Sequence, residues 1–199
     1  MIDELQIKQD FDTIFKITSS EGFLKMEALN GEIPFWIAPY EVKLHNEYEK
    51  QIENLRKKLK TNSIQALVID LFQLASEIIF EDFTVEQIEK LEKRKSKEQF
   101  KRALQATLNI HDIFIPKIKE CLESNDYNLL ILKNVGSLYP FMRSHTILNN
   151  LQSAIKTKPV LIFYPGAYTG QSLNLFGELI DDNYYRANNI LKHKKFIHE

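Results

Sequence analysis

The chain has 199 residues, of which 44% are hydrophobic and 27% are charged, a composition typical of a globular protein. With 26 basic against 27 acidic residues the formal net charge is -1, which argues against the basic overall surface of a dedicated nucleic-acid-binding domain. No apolar stretch approaches the roughly 20 residues that a membrane-spanning helix needs, and no basic start precedes an apolar block. We therefore expect a cytoplasmic protein without a membrane contact.

The N-terminal part of the chain has the periodicity of an amphipathic helix. Apolar residues recur at helical spacing from Ile7 to Phe15, which predicts an amphipathic helix, and the stretch GFLKMEAL predicts a second, short helix. The strand candidate IPFWIAPY comes next. Because Pro34 and Pro39 bracket it, we expect an edge position or a very short strand.

The middle of the chain switches between strand and helix patterns. A helical stripe from Tyr48 to Leu59 precedes the apolar run SIQALVIDL, Ser63 to Leu71, which predicts a buried strand. Helical spacing then resumes and continues from Phe83 to Glu123. A break is predicted near Asn109, with Asp112 as the cap of a new helix.

Two further strands are predicted in the C-terminal half. They are the runs YNLLILKNVG and VLIFY, separated by the helix HTILNNLQSAIK with Ser144 as its predicted N-cap. A closing helix is predicted within DDNYYRANNILKHKKF, with Asp181 or Asp182 at its N-terminus.

The order of elements predicts an α/β fold of three layers. Three of the strands are continuous apolar runs, so both of their faces must be covered. We expect a mostly parallel sheet of about four to five strands with helices on both faces. Residues 1–199 are predicted to form a single domain, with a helical insertion at approximately 83–123.

The stretch VLIFYPGAYTGQSLNLFG, Val160 to Gly177, reads as a strand, a glycine loop and a helix, which is how phosphate-binding loops are built. However, the spacing from Gly166 to Gly170 is one residue short and Gln171 stands where such loops carry lysine. After the third strand, Lys133-Asn134 replaces the acidic pair of an ATPase. The layout therefore resembles a P-loop NTPase core without its phosphate-binding loop. The two glycines are expected to give backbone freedom at the carboxyl end of a strand, where ligands and partners of such sheets dock.

Other residue types that carry chemistry are sparse. The five histidines show no metal-ligand spacing, and we expect no catalytic residue, no metal and no cofactor. The single cysteine, Cys121, lies in a helical pattern without a local partner. A buried structural thiol is the favoured interpretation over a reactive one.

Aromatic and polar side chains near the carboxyl end of the sheet are candidates for a partner interface. Arg143 is suited to bidentate binding of a carboxylate or phosphate, with a structural ion pair as the alternative. Tyr168, at the tip of the glycine loop, is predicted to be an exposed anchor. The candidate interface residues are Tyr139, Arg143, His145, Tyr168, Gln171, Tyr184, Tyr185 and Arg186.

One basic stretch stands out. KLEKRKSKEQFKR, Lys90 to Arg102, contains seven basic and two acidic residues. As a single helix it would suit contact with nucleic acid or an acidic partner, and a solvated helix face is the alternative. The candidate nucleic-acid contacts are Lys93, Arg94, Lys95, Lys97, Lys101 and Arg102.

Three stretches resemble the BrxB family of BREX (bacteriophage exclusion) defence systems: NVGSLYPFMRSHTILNNLQ, FYPGAYTGQSLNLFGELIDDNYYRA and LNGEIPFWIAPYE. The resemblance extends over the chain, and its C-terminal third carries the strongest part. It implies a role in restricting phage alongside a large ATPase, a DNA methyltransferase and PglZ, a protein of the alkaline-phosphatase type, and it implies no established enzymatic activity.

The function favoured by this resemblance is non-catalytic bridging or scaffolding through PglZ. The large ATPase is a second candidate partner. Nucleic-acid binding through residues 90–102 and atypical nucleotide binding stay open as alternatives.

Overall fold

The computed structural model describes residues 2–27, 33–180 and 183–192 and confirms the predicted α/β class. Its N-terminal half contains α1 (Ile2–Thr18), α2 (Glu21–Leu24), β1 (Phe35–Tyr40), α3 (His45–Thr61), β2 (Ala66–Asp70) and α4 (Leu71–Asp82). Its C-terminal half contains α5 (Val85–Arg94), α6 (Lys97–Thr107), α7 (Ile115–Glu123), β3 (Leu129–Lys133), α8 (Ser144–Ala154), β4 (Val160–Tyr168), β5 (Leu173–Leu175), β6 (Leu179–Ile180) and β7 (Asn188–Asn189).

The sheet is mostly parallel, as predicted. Over the described residues it has seven strands, and five of them follow one path in the order β2-β3-β4-β1-β7. All neighbours on that path are parallel. Val160 of β4 lies between Leu130 of β3 and Phe35 of β1. The short strands β5 and β6 continue from β4 as an antiparallel ribbon that the sequence did not predict.

Each face of the sheet has its own hydrophobic core. The helices α1, α2 and α3 cover one face, where Phe11 stacks on Phe163 with ring centroids 5.5 Å apart. The helices α4, α7 and α8 cover the other face, which includes Leu71, Ile118 and Leu148. Burial of one such aliphatic or aromatic side chain contributes about 1.5–3 kcal/mol, so coverage of both faces accounts for the continuous apolar strands.

The sheet edges differ from the prediction. β1 lies inside the sheet, because it pairs with β4 over its whole length and with β7 at Trp36 and Ile37. Since β7 ends there, Pro39 needs no hydrogen-bond partner on that side, and this is how the strand accommodates a proline. The outer position belongs to β2, whose residues are mostly only partly buried, although a buried strand was predicted.

The helical section from 83 to 123 is divided by side-chain caps. Thr84 and Ser96 each form a capping box, with Gln87 and Gln99 respectively, so α5 and α6 are separate helices. The basic stretch from Lys90 to Arg102 is therefore not one helix.

A π-helical turn, Ile110–Phe114, leads from the end of α6 into α7. The Asn109 side-chain oxygen accepts hydrogen bonds from the backbone N–H groups of His111 and Asp112, both at 3.2 Å. Asn109, and not Asp112, is thus the cap of this turn, because it precedes the first unpaired N–H groups. The predicted break near Asn109 is confirmed.

Two further predictions about helices are wrong. Arg143 occupies the N-cap position of α8, and Ser144 is buried in the first turn instead. Residues 183–192 form no α-helix but contain β7 and a 3-10 turn, Ile190–Lys192, because Tyr185 is buried and Asn188 and Asn189 pair with β1. Asp181 and Asp182 lie outside the described residues.

The thiol of Cys121 is partly buried in α7. Burial raises its pKa, and the charges of Glu120 and Glu77 raise it further. A raised pKa leaves little thiolate at neutral pH, which agrees with a structural cysteine. Within the described ranges, no helix has both the length and the apolar character needed to cross a membrane.

Candidate functional site

The glycine stretch after β4 forms a hairpin. β4 runs through Gly166 to Tyr168, the chain turns over 169–172, and β5 returns antiparallel. Gly166 has a φ of 143°, and a Cβ atom there would lie 2.0 Å from the carbonyl oxygen of Asn174. A glycine is required at this position because β4 and β5 approach each other too closely for a side chain. This agrees with the predicted role of Gly166 in providing backbone freedom. No helix follows the loop within 160–177, so the strand–loop–helix order of a phosphate site is not formed there.

A polar cluster lies where β2 and β3 end. We call Glu49, Asp70, Lys133 and Asn134 the carboxyl-end cluster. The Lys133 ammonium contacts Asp70 Oδ2 at 3.3 Å and forms a shorter ion pair with Glu49 of α3. Asn134, which has a φ of 60°, donates from its amide to Asp70 Oδ2 at 2.8 Å.

Both oxygens of Asp70 are used by the chain itself. Oδ1 accepts from the backbone N–H groups of Phe72 and Gln73, at 3.1 and 3.0 Å, and so caps α4. Oδ2 accepts from Lys133 and Asn134. This carboxylate, at the strand end where an α/β hydrolase would hold magnesium or orient water, is therefore already saturated with donors.

Electrostatics favour the charged form of Lys133. Partial burial lowers the pKa of Lys133, but the hydrogen bond and charge of Glu49 and those of Asp70 outweigh it, so that the pKa is raised overall. Nearby, burial raises the pKa of the Tyr40 hydroxyl, and the charge of Glu49 adds to the shift. Among the described residues, no group of three or more His, Cys, Asp or Glu side chains is placed to hold a metal ion.

An open cleft lies beside this end of the sheet, between α6 and the loop before α8. We call it the Tyr139 cleft. It has a volume of about 410 Å³. Its lining residues are Lys101, Gln105, Ile110, Tyr139, Pro140, Phe141, Met142, Arg143 and Thr146. Gln105 of α6 donates to the Phe141 carbonyl oxygen at 3.0 Å and so fixes the two walls to each other.

The cleft combines exposed aromatic surface with positive charge. Tyr139 is 41% exposed, and Arg143 is exposed without an ion pair among the described residues. Lys101 reaches the cleft from α6, where Glu98 pairs with it at 2.9 Å. A second groove, of about 360 Å³, shares Lys101, Pro140 and Phe141 with the cleft. Arginine and tyrosine on a concave surface are the residue types that anchor protein interfaces.

Two of the predicted interface residues are buried. Tyr168, predicted to be exposed at a loop tip, is the last residue of β4 and is buried. Its hydroxyl donates to the carbonyl oxygens of Ala187 and Tyr185, at 2.8 and 3.1 Å, and accepts from the Ala187 N–H at 2.9 Å. Tyr185 is fully buried against it. Both tyrosines fasten residues 185–187 to the sheet and are unavailable to a partner.

The remaining predicted interface residues fall in two places. Tyr139 and Arg143 line the cleft, and His145 lies next to it, partly buried, with its Nε2 3.0 Å from the Thr146 hydroxyl. Gln171, Tyr184 and Arg186 are exposed elsewhere, where the Gln171 carbonyl oxygen accepts from the Tyr185 N–H at 2.7 Å. The structure thus brings Tyr139, Arg143 and His145 together at the cleft. Gln171, Tyr184 and Arg186 lie in a separate patch.

The six candidate nucleic-acid contacts are spread over two helices and the link between them. Lys93 pairs with Glu89, and Lys101 and Arg102 both pair with Glu98. Arg94, Lys95 and Lys97 are exposed near the break at Ser96. Because part of the positive charge is neutralised within each helix, the stretch presents a weaker basic surface than its sequence indicates.

Sequence reasoning missed Glu49, Asp70 and Gln105. Asp70 is the last residue of the apolar run of β2 and the N-cap of α4. Its position at the carboxyl end of a predicted strand could have identified it as a candidate site residue. Glu49 and Gln105 carry no such signal, because their partners Lys133 and Phe141 are distant in the chain.

Comparison with known proteins decides the family. Residues 67–190 match the family model described as BREX protein BrxB. The chain belongs to the BrxB family. BREX protein BrxB of Bacillus cereus (strain H3081.97) is 33% identical over 187 residues, which cover 92% of this chain and 96% of that protein. BREX protein BrxB of Escherichia coli O9:H4 (strain HS) is 30% identical over 171 residues, which cover 85% of this chain and 84% of that protein. No solved structure gives a significant match.

Membership confirms the family resemblance read from the sequence. The family match contains Tyr139, Arg143 and all of the carboxyl-end cluster except Glu49. The cleft and most of the cluster are therefore built from the segment that matches the family model.

Proposed function

We propose that this BrxB protein is a non-catalytic bridging component of a BREX anti-phage system, and that it contacts PglZ through the Tyr139 cleft. Its place in BREX follows from the family to which the chain belongs. The observation that carries the rest is the contrast between two neighbouring regions. The Asp70 carboxylate in the carboxyl-end cluster is saturated by donors of the chain itself, whereas the cleft beside it is open and holds an arginine with no ion pair to the described residues.

Non-catalytic action is supported by the state of the usual reaction site. In open α/β sheets ligands bind beyond the carboxyl ends of the strands. In this chain Lys133 pairs with both Asp70 and Glu49 there, and β4 continues into a hairpin. If a nucleotide bound this region, it would stabilise the native state by mass action. We expect no rise in melting temperature with millimolar ATP or GTP and magnesium, and a clear rise would contradict the non-catalytic proposal.

The chemistry of the cleft defines the partner surface. Arg143 is suited to bidentate binding of a carboxylate, and Tyr139 and Phe141 offer apolar area beside it. A complementary surface presents an acidic side chain next to an aliphatic or aromatic one. Since Arg143 is not held by an ion pair within the described chain, binding a carboxylate breaks no existing pair.

Affinity measurements with cleft variants test this proposal. Arg143→Glu and Tyr139→Ala are each expected to weaken binding to immobilised PglZ by about 30-fold or more, which is typical of a central anchor residue. Lys16→Glu, at an exposed position on α1, is the matched charge reversal and is expected to leave the affinity unchanged. Tyr184→Ala, at a tyrosine that is 63% exposed in the separate patch, distinguishes the two surfaces. Loss of binding in Tyr184→Ala with normal binding in both cleft variants would place the interface elsewhere.

A further inference from the structure

The strand β2 leaves an apolar edge open. Within the described residues it hydrogen-bonds to β3 and has no strand on its other side. Ala66, Leu67 and Val68 are only partly buried, whereas residues 129–132 of the adjacent β3 are fully buried. No charged residue interrupts the strand before Asp70. Edge strands that stay unpaired usually carry such interruptions, so this edge has the properties of a strand that pairs with another chain.

The backbone groups that face outward are fixed by the pairing with β3. Gln65 faces β3, because its N–H donates to the Asn128 side chain at 2.8 Å and its carbonyl oxygen accepts from the Asn128 N–H at 2.8 Å. Backbone direction alternates along a strand, so Leu67 and Ile69 also face β3. The N–H and carbonyl groups of Ala66 and Val68 therefore point away from the sheet.

We propose that β2 pairs antiparallel with β2 of a second copy of this chain, about a two-fold axis at Leu67. Ala66 of one copy then exchanges both backbone hydrogen bonds with Val68 of the other, and the reverse pair does the same. The two Leu67 side chains meet on the axis. A two-fold interface uses the same patch twice, so the patch must be complementary to itself, and β2 meets this requirement in its backbone.

The helix α4 extends the apolar patch on one face of the sheet. It begins directly at the end of β2, and Leu67 belongs to the same core as its buried residues. Lys117 of α7 pairs with Glu81 on one flank of α4 at 2.9 Å. The other flank and the outer surface present Phe72 and Phe80, which are 50% and 53% exposed. Antiparallel pairing of β2 brings α4 beside its copy and covers these rings.

The helix α3 supplies complementary charge on the opposite face. It packs against α1 on one flank, where Lys58 contacts Asp12 at 3.6 Å and Tyr48 donates to Asp10 at 3.3 Å. Helical spacing places the opposite flank toward the β2 edge. This flank carries its acid first and its bases later: Glu53, which pairs with Arg56 of the same helix at 2.7 Å, and then Lys60 near the end of the helix. An antiparallel copy sets the acidic half of one helix against the basic half of the other, and this charge order favours a second copy over an unrelated strand.

Sedimentation of the full chain from low to high micromolar concentration tests the proposal. We expect a species of twice the 23.4 kDa chain mass. Phe72→Asp with Phe80→Asp is expected to raise the dimer dissociation constant by at least about tenfold, since the rings are buried on pairing. Leu5→Asp, at a leucine of α1 that is 60% exposed, is the matched control and should leave the dimer intact. A monomer at every concentration, or a dimer unaffected by the double aspartate variant, would overturn the proposal.

A charge exchange gives a second, independent test. Glu53→Lys is expected to weaken the dimer, because it faces the basic half of the second α3. Glu53→Lys combined with Lys60→Glu is expected to restore it, since the charge order is inverted in both copies. Failure of the double exchange to restore the dimer contradicts the assigned pairing. The cleft variant Arg143→Glu should keep the dimer, so this result and the PglZ result are separable.

Discussion

The Lys133 ammonium at the end of β3 lies 3.3 Å from Asp70 Oδ2 at the end of β2. These neighbouring parallel strands deliver one cation and one anion to the same point, and Glu49 of α3 adds a second carboxylate that pairs with the same lysine. In a nucleotide hydrolase the corresponding edge holds acidic residues for magnesium and a loop for phosphate. In this BrxB protein the edge holds an ion-pair cluster of Lys133 with Asp70 and Glu49.

Replacing Lys133 with methionine is expected to destabilise the protein by about 1–3 kcal/mol. The substitution leaves the partly buried Glu49 and Asp70 carboxylates without their shared partner, and unpaired polar groups of this kind cost about that much. Urea unfolding followed by circular dichroism measures the change. Lys57→Met, at an exposed ion pair with a 3.7 Å contact, is the control and should cost less than about 1 kcal/mol.

The difference in stability between the native protein and the Lys133→Met variant is also expected to depend on pH. Because the folded-state pKa of Lys133 is raised, its contribution is complete below the unfolded-state value of about 10.4 and is lost as the pH rises through the folded-state value. The stability difference between the native protein and Lys133→Met should therefore be constant at neutral pH and decrease in alkaline solution. A difference that grows with alkaline pH would show that the cluster is not held by the lysine charge.

Gly166→Ala is expected to disrupt the β4–β5 hairpin. The new Cβ would lie 2.0 Å from a backbone oxygen at a φ of 143°, so at least about 3 kcal/mol of stability should be lost. Gly170→Ala provides the comparison, because its φ of 99° is also unfavourable but no atom lies within 4 Å of the new Cβ. Its expected cost is only about 1–2 kcal/mol. Equal melting temperatures for the two variants would argue against this hairpin geometry.

Tyr168→Phe is expected to reduce stability without reducing partner binding. Loss of the hydroxyl leaves the Ala187 N–H and carbonyl oxygen without their partner in a partly buried setting, at a cost of about 1–3 kcal/mol. Thermal unfolding and PglZ affinity are both measured on the same preparation. Tyr184→Phe is the control at an exposed tyrosine and should change neither quantity. Weaker PglZ binding by a folded Tyr168→Phe protein would restore Tyr168 as an interface anchor.

The basic stretch is expected to give little affinity for nucleic acid. Lys93, Lys101 and Arg102 are engaged with glutamates of their own helices, and the net charge of the chain is -1. Electrophoretic mobility of duplex DNA and of RNA at low salt should be unchanged by the protein. A shift that disappears with rising salt, and in Lys95→Glu with Lys97→Glu, would instead support nucleic-acid binding through this stretch.

The sheet was predictable from the sequence because its signal is local. Continuous apolar runs at β2, β3 and β4 require cover on both faces, and the stripe from Tyr48 to Leu59 requires a helix that packs on them. The hairpin after β4 was not predictable from glycine spacing. A strand–glycine–polar pattern suits both a helix and a return strand, and pairing with 173–175 decides between them.

The candidate site was only partly predictable for the same reason. Tyr139 and Arg143 are close in the chain and were both identified, but their meeting with Lys101 depends on how α6 lies against the loop. The prediction for Tyr168 was wrong, because the sequence pattern indicates an exposed loop tip. In the structure the Tyr168 hydroxyl forms hydrogen bonds with the backbone of Ala187, nearly twenty residues away in the chain. Contacts of this range are set by tertiary packing and leave no periodic signal.

Co-expression of the chain with PglZ from the same BREX system, followed by size exclusion at moderate salt with mass determination, tests the bridging role most directly. We predict one stable complex containing both proteins in equal amounts, and its loss in the Arg143→Glu variant with Tyr139→Ala. An intact complex in that variant would contradict the cleft as the contact surface. Separate elution of the two native proteins would contradict the central claim that this BrxB protein acts by binding PglZ.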